Sequence, residues 1–425
     1  MSPFSTSLHT YAKQRGFTLT ELMVALTGGL FISTVVFVLA RDSTRFYQRE
    51  SRMANANLSE IIGFQRLSAD IARAGFLSSP NIRREPTRLC GPPLTQANLW
   101  PTELANLSSI MIKAGEVMPA ELTGQVAPVR LRLAGAYSSA EQFGTRTVKK
   151  GAAAGTTEVY LQPNLGPMQR LGYGTSTDPT ALLQSVFPAG RALRLVDKEG
   201  KVQYGTITGV VADASPRIIL GNRPAIQFRE DGSLCGFHDL GEGTLVNVVN
   251  FVVYEIRNIQ NATAYPDFVR AIETDPAVIA ATRDTTRTDL IRVELDVDGN
   301  EITNTRELVA EYAVDLRFGL TVVENASTST PVTAPLLETI PSTDADVLLW
   351  AGLPSGLGDN IGPEFIRSVR TRLSVRSRDP DRDTNITPNS TVAPGLYRIG
   401  LGANGAAPFA RVRTMQADIA LRNQR

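Results

Sequence analysis

Histidine, cysteine and tryptophan are nearly missing from this chain: two of each occur in 425 residues. With His9 far from His238 and Cys90 far from Cys235, no HExxH or CxxC spacing exists. There is also no GxSxG elbow and no GxxxxGK[ST] phosphate loop. Strong net charge is absent too, since the formal value is +1, so no global field draws the chain to nucleic acid or to an anionic surface. Proline does not occur between Pro3 and Pro80, which permits an uninterrupted helix through that interval.

What fills the interval is a long apolar run. Lys13, Arg15 and Gly16 precede 24 residues, Phe17 to Ala40, whose only ionisable side chain is Glu21. At about 1.5 Å per residue this crosses a hydrocarbon core as a helix. The leading cations place the tail on the cytoplasmic side and the rest of the chain on the exported side. The run is too long for a signal-peptide core and no small-x-small cleavage site closes it. A carboxylate inside a membrane helix costs on the order of 3 kcal/mol and is retained for a use. If the chain is cut after Gly16, the new amine of Phe17 lies one turn from Glu21, so the two groups neutralise each other or pair with a neighbouring copy. A plain signal-anchor with Glu21 near the interface is the alternative.

From 41 to 75 the helix continues as an amphipathic element, with Ala54, Leu58, Ile61, Phe64, Leu67, Ile71 and Ala74 on one face. Arg45, Arg49, Glu50, Arg52, Glu60, Arg66 and Asp70 fall elsewhere, Gly75 is placed as the C-terminal cap, and Pro80 blocks continuation. Gly28-Gly29 is the weak point of the membrane half.

Beyond residue 80 short alternating apolar runs predict strands at 109–113, 129–133, 158–161, 193–196, 202–211, 217–220, 244–257, 290–297, 308–323, 347–351, 366–376, 395–401 and 411–421. Asp197–Gly200 and Asp298–Asn300 read as hairpin turns, and 321–345 as a loop. The fold class is α+β, a long N-terminal helix against a mainly antiparallel β region. The division is 1–16 leader, 17–40 membrane half, 41–75 exported half of the helix and 76–425 β-rich body, with a weak boundary near 240.

The segment Gly16-Phe17-Thr18-Leu19-Thr20-Glu21-Leu22-Met23-Val24-Ala25-Leu26 resembles the prepilin motif of type IV pilins and pseudopilins. The resemblance implies cleavage by a prepilin peptidase after Gly16, methylation of Phe17, and a docking role for Glu21 in a growing filament. Leu67–Phe76, Glu307–Gly319, Ile366–Arg378 and Arg411–Arg425 resemble segments of PilW-type minor pilins. Residues 90–290 resemble nothing named. The family implies a non-enzymatic minor pilin acting in pilus priming and assembly near the tip, supporting motility or adhesion. It is single-pass in the inner membrane with a periplasmic body, and later part of the surface fibre. Its partners are other minor pilins, the major pilin, the peptidase and a large tip adhesin, and no cofactor is implied. A type II secretion pseudopilin is the alternative, and a membrane-anchored periplasmic binding protein a more distant one.

On the exported side Cys90 and Cys235 either form a bridge across a long loop, in an oxidising compartment, or stay as two buried thiols. Asp379, Asp381, Asp383 and Asn385 alternate like calcium ligands, but Thr384 and Ser390 replace the glycine and glutamate such a loop needs, so a solvated acidic turn is expected. His238-Asp239 beside Cys235 reads as an ordinary surface or packed pair rather than a metal or nucleophile site. Arg370, Arg372, Arg376 and Arg378 share one strand face, which Arg411 and Arg413 extend if the last strand lies alongside. Pairing with nearby acids is preferred there over DNA, because the interleaved aromatics of a stacking platform are missing.

Overall fold

The computed structural model describes residues 18–85, 98–164, 166–229, 236–237, 242–259, 265, 284–324, 336–341, 346–352, 361–380 and 398–423. The absence of proline has its expected consequence in α1, a single helix over Leu19–Ala72 that passes through Gly28-Gly29 without a break. The chain divides into two compact units, 1–54 and 55–425.

In the first unit none of the described helix side chains is buried, and Leu22, Leu26, Leu30, Phe31, Phe37 and Leu39 are all exposed. Leu19–Thr44 has the length and composition of a membrane span. Two of its hydroxyls bond within the helix, Thr27 donating to the carbonyls of Met23 and Val24 and Thr34 to that of Leu30. That bonding lets threonine sit in hydrocarbon without an unpaired polar group.

In the second unit fifteen strands are formed among the described residues. β8 (Leu245–Arg257) organises them. Its second half lies in an antiparallel sheet with β2 (Val129–Gly135) and β9 (Asp289–Leu295), flanked by β1 (Ile110–Ala114) and β10 (Glu307–Ala310). Its first half pairs with β3 (Phe143–Lys150) on one side and β5 (Ala192–Val196) on the other. Through β4 (Thr157–Leu161), β7 (Arg217–Leu220) and β6 (Val202–Val211) that circuit closes on itself, giving a six-stranded antiparallel barrel. Closure removes free edges. The interior is filled by Phe143, Val159, Leu161, Leu195, Ile207, Leu220 and Val248 together with Phe187, which meets Phe143 edge-on at 4.9 Å. The barrel lies inside 90–290, and its interior is a packed apolar core.

A second sheet has the order β12 (Leu336–Ile340), β11 (Ala313–Glu324), β13 (Ile366–Arg376), β15 (Phe409–Ala420) and β14 (Arg398–Gly400). One core joins both sheets and the end of α1, drawing on Phe64, Leu67 and Ile71, on Leu131, Val252 and Tyr254, and on Leu316, Phe318, Leu373 and Ile419.

Several expectations need correcting. The run 347–351 is helical (Asp346–Trp350), because Val347, Trp350 and Ala351 are the buried positions while Leu348 and Leu349 are exposed, a spacing no strand supplies. The loop expected at 321–345 contains the end of β11 and all of β12. The single strand expected over 308–323 is two, because Tyr312 takes a left-handed φ of 54° and carries the chain from one sheet to the other. β3 went unforeseen: Phe-Gly-Thr-Arg-Thr-Val-Lys-Lys has too few apolar residues to announce a strand, yet barrel closure needs only Phe143, Thr145 and Val148 inside. The helix ends at Ala72, and Gly75, at φ 76°, donates to Ala134 of β2 rather than capping it.

The expected face of α1 packs from Phe64 to Ala74 but not before it. Ala54, Leu58 and Ile61 remain exposed, whereas Glu60 and Asp70 are buried along with Phe64, Leu67 and Ile71. Gly63 permits this approach, since a Cβ there would stand 2.7 Å from the Val309 carbonyl oxygen and 2.9 Å from the Ala310 Cβ. A helical glycine costs about 1 kcal/mol, which close contact with β10 offsets.

Candidate functional site

Two regions of α1 concentrate polar contacts: its first turn, where the expected site residue Glu21 lies, and the buried face that meets the β-rich body. In the first turn Thr18 precedes the helix and Glu21 stands three residues on. The Thr18 backbone N–H and its hydroxyl both donate to Glu21 Oε2, at 3.0 and 2.9 Å, and the Glu21 N–H donates back to the Thr18 hydroxyl at 3.3 Å. This is a reciprocal capping box. Thr18 was missed as a site residue, although the Thr-x-x-Glu spacing ahead of an apolar run is its signal. Both donors land on Oε2, so the other carboxylate oxygen retains its lone pairs for a further donor. A negative charge is also favoured at a helix N-terminus. Gly16 and Phe17 lie outside the described residues, as do Cys90, Cys235, His238, Asp381, Asp383 and Asn385.

The buried face is pinned by charge. Asp70 Oδ2 accepts from Arg292 Nε at 2.8 Å and from the Tyr254 hydroxyl at 2.8 Å, and Arg66 stands one turn before it on the same helix. Burial, with Asp70 alongside, pushes the Tyr254 hydroxyl far above its ordinary value, so it stays a donor. Its carboxylate partner also raises the Arg292 guanidinium against the burial that opposes it. The network continues through Glu294, which meets Arg292 at 3.7 Å and accepts from Arg191 at 2.6 Å and from Asn250 at 3.1 Å. Arg191 leads into β5 of the barrel, so one chain of charge-assisted bonds links the helix to both the sheet and the barrel. At the end of α1, Asn423 donates to the carbonyls of Ala72 and Ala74.

Glu60 lies against β15. It is 3% exposed, and its Oε1 has no hydrogen-bond partner. Burial raises its carboxyl from 4.5 to about 7, against the opposing effects of the Met415 backbone N–H and Arg413. A carboxyl raised on folding is protonated in the native state while ionised in the unfolded chain. Stability at this seam therefore falls as pH rises from about 4.5 to about 7, by at most on the order of 3 kcal/mol. Thermal unfolding of the detergent-solubilised chain should show a lower midpoint at about pH 8 than at about pH 5, and Glu60→Gln should flatten that difference. An unchanged pH slope in Glu60→Gln would remove Glu60 as its cause.

The arginine face is resolved by register. Arg370 pairs with Asp418 at 2.9 Å and Arg372 with Asp315 at 2.8 Å. Arg376, on the same strand, is fully buried. It donates to Asp284 and, with Arg287, flanks the Tyr312 ring at 4.8 Å. β15 does lie beside β13, but Arg413 sits opposite Val375 and Val412 opposite Arg376, so Arg411 and Arg413 do not extend that face. The acids take up the face that a basic ridge would need.

Residues 11–27 match the prokaryotic N-terminal methylation motif. The match covers the Lys13–Gly16 approach, Phe17, the Thr18–Glu21 cap and the first two turns of the apolar helix, and it supports a type IV pilin-like or pseudopilin protein held in a membrane by that helix. No curated protein and no solved structure matches the chain.

Proposed function

We propose that this chain is a PilW-type minor pilin of a type IV pilus. In this reading it primes assembly, stays near the tip of the fibre, and has a structural rather than an enzymatic task. The observation that carries the reading is the methylation motif seated at the start of an exposed apolar helix whose other end is pinned into a β-rich body. A peptidase on the cytoplasmic side cuts after Gly16 and Phe17 is methylated. This removes Lys13 and Arg15 and takes the formal net charge from +1 to −1. The helix then leaves the inner membrane and docks among sibling minor pilins and the major pilin, with a large tip adhesin as the outermost partner. Resemblance at Glu307–Gly319 and Arg411–Arg425 favours the pilus over a secretion pseudopilin. Loss of the gene separates the two, since pili or motility fail in one case and exoprotein secretion in the other.

Mass spectrometry of the N-terminal peptide should find N-methylphenylalanine at Phe17 and none of residues 1–16. A mature protein that keeps Met1, or one cut after Ala40, would contradict the pilin reading.

The reading also places Cys90 and Cys235 in an oxidising compartment, joined as a disulfide. Such a bridge stabilises by roughly 4–5 kcal/mol in the chain-entropy account. Alkylation of envelope protein without reduction should leave both thiols unlabelled, and full labelling of both would show them free.

A further inference from the structure

Between residues 50 and 62, only one of the described side chains of α1 is buried, and it is acidic. Leu58, Ile61 and Ile62 are exposed, whereas Glu60 is covered against β15. Glu60 is thus the first anchor of this stretch on the β-rich body. The next contact is made by backbone, at Gly63, where a Cβ would stand 2.7 Å from the Val309 carbonyl oxygen. From Phe64 onward the hold is firm: Phe64, Leu67 and Ile71 enter the core, and Asp70 bonds Arg292 and Tyr254. Among the described residues, the turn before Gly63 has only a buried carboxyl group to hold it down.

That carboxyl anchors well only when neutral. Its Oε1 accepts no hydrogen bond. From β15 it is faced by the Met415 backbone N–H and by Arg413, which is itself exposed. Arg411 of β15 lies further off, opposite Arg398, and Asp418 of β15 is turned to Arg370 at 2.9 Å. Arg66 of α1 and Glu307 of β10 are turned to each other at 3.4 Å. An ionised carboxylate so placed calls for water. It reaches water if its side chain turns out alone or if the turn that carries it lifts. A helical glycine yields more readily than other residues, and Gly63 stands where the lifting would pivot.

We propose that Glu60 is a proton-operated latch on α1. With the carboxyl neutral, the turn before Gly63 rests on β15. With the carboxyl ionised, that turn lifts, and the helix leaves the body at Gly63, about 4.5 Å further along its axis. The direction of the pH response follows from linkage. The carboxyl titrates at about 7 when docked and near 4.5 when free in water. The ratio of lifted to docked molecules therefore rises between those values, by at most about 300-fold, and levels off above them. The latch is a property of the body and stands independently of the pilus assignment.

The test uses the full chain in detergent. Spin labels carried on p-acetylphenylalanine, which leaves cysteine untouched, replace the exposed Leu58 and Gln416. Double electron–electron resonance then reads the distance between α1 and β15. One narrow distance is expected at pH 5, and a second, longer one should grow in by pH 8. Glu60→Gln, neutral at every pH, should keep the narrow distance throughout. Arg413→Gln removes the cation that favours the ionised group, so it should show more of the longer distance than the wild type at pH 8. A single distance in the wild type from pH 5 to pH 8, as when the carboxylate turns out alone, overturns the proposal. A longer distance that still grows in with pH in Glu60→Gln overturns it too. So does loss of the strand signal in circular dichroism alongside the longer distance, which would make the change unfolding rather than release of a latch.

Discussion

Glu21→Lys should be processed and inserted like the wild type, yet be almost lost from sheared filaments. In a filament the helices pack where water is scarce, and there an unpaired carboxylate and an unpaired amine are both costly. Pairing Glu21 of one chain with the Phe17 amine of a neighbour satisfies both, and at about 4 Å and an effective dielectric near 20 the attraction is a few kcal/mol. The capping box leaves this open: Thr18 occupies Oε2, while the second oxygen remains available to a neighbour's amine. Lysine there repels the amine and also opposes the positive end of the helix. Glu21→Ala should lose incorporation to a smaller degree, and Glu21→Asp should be partly tolerated. Thr18→Ala, which removes one cap bond, should weaken the helix start by about 1 kcal/mol and reduce incorporation less than any change at Glu21 except aspartate. The measurement compares processed protein in membranes with protein in filaments. Wild-type recovery of Glu21→Lys in filaments would end the pairing idea.

Asp70→Ala should be among the most destabilising single changes in the body, by about 3–5 kcal/mol, because it strands a buried guanidinium and a buried hydroxyl. Arg292 and Tyr254 both lose their acceptor, and Arg292 keeps only the longer contacts to Glu294 and Glu307, at 3.7 and 3.8 Å. Asp70→Asn retains an acceptor for the tyrosine and should lose less. The double variant Asp70→Leu/Arg292→Met replaces the ion pair with apolar side chains and should recover much of the loss, because paired buried charges often contribute little net stability while a stranded one costs much. Denaturant unfolding of the wild type and the three variants measures these differences, and the single variants Asp70→Leu and Arg292→Met complete the double-mutant cycle. If Asp70→Ala cost no more than an exposed substitution, the network would not be what fastens the helix to the body. The functional corollary is mechanical. A pull on α1 would be passed to the sheet through Asp70–Arg292 and to the barrel through Glu294–Arg191.

Much of this protein was decided locally and is therefore readable along the chain. The helix from Leu19 follows from an apolar run without proline, because its hydrogen bonds close within four residues and need no partner. β6 and β7 fall at their expected limits, 202–211 and 217–220, because period-2 alternation is also a local signal. The same holds for the Asp197–Gly200 turn, where the Asp197 carboxylate accepts from the N–H groups of Glu199 and Lys201.

Tertiary structure decided what depends on a partner distant in sequence. Glu60 and Asp70 are polar letters on a helix, and which face turned inward rested on Arg292, Tyr254 and β15, all more than 180 residues away. Val347–Ala351 reads equally as strand or helix until a core claims Val347 and Trp350. The barrel exists because β8 is long enough, at 13 residues, to serve two sheets, and because β3 and β5 meet it from opposite sides. Closure of that kind is a property of pairing between distant strands, and no window of sequence contains it.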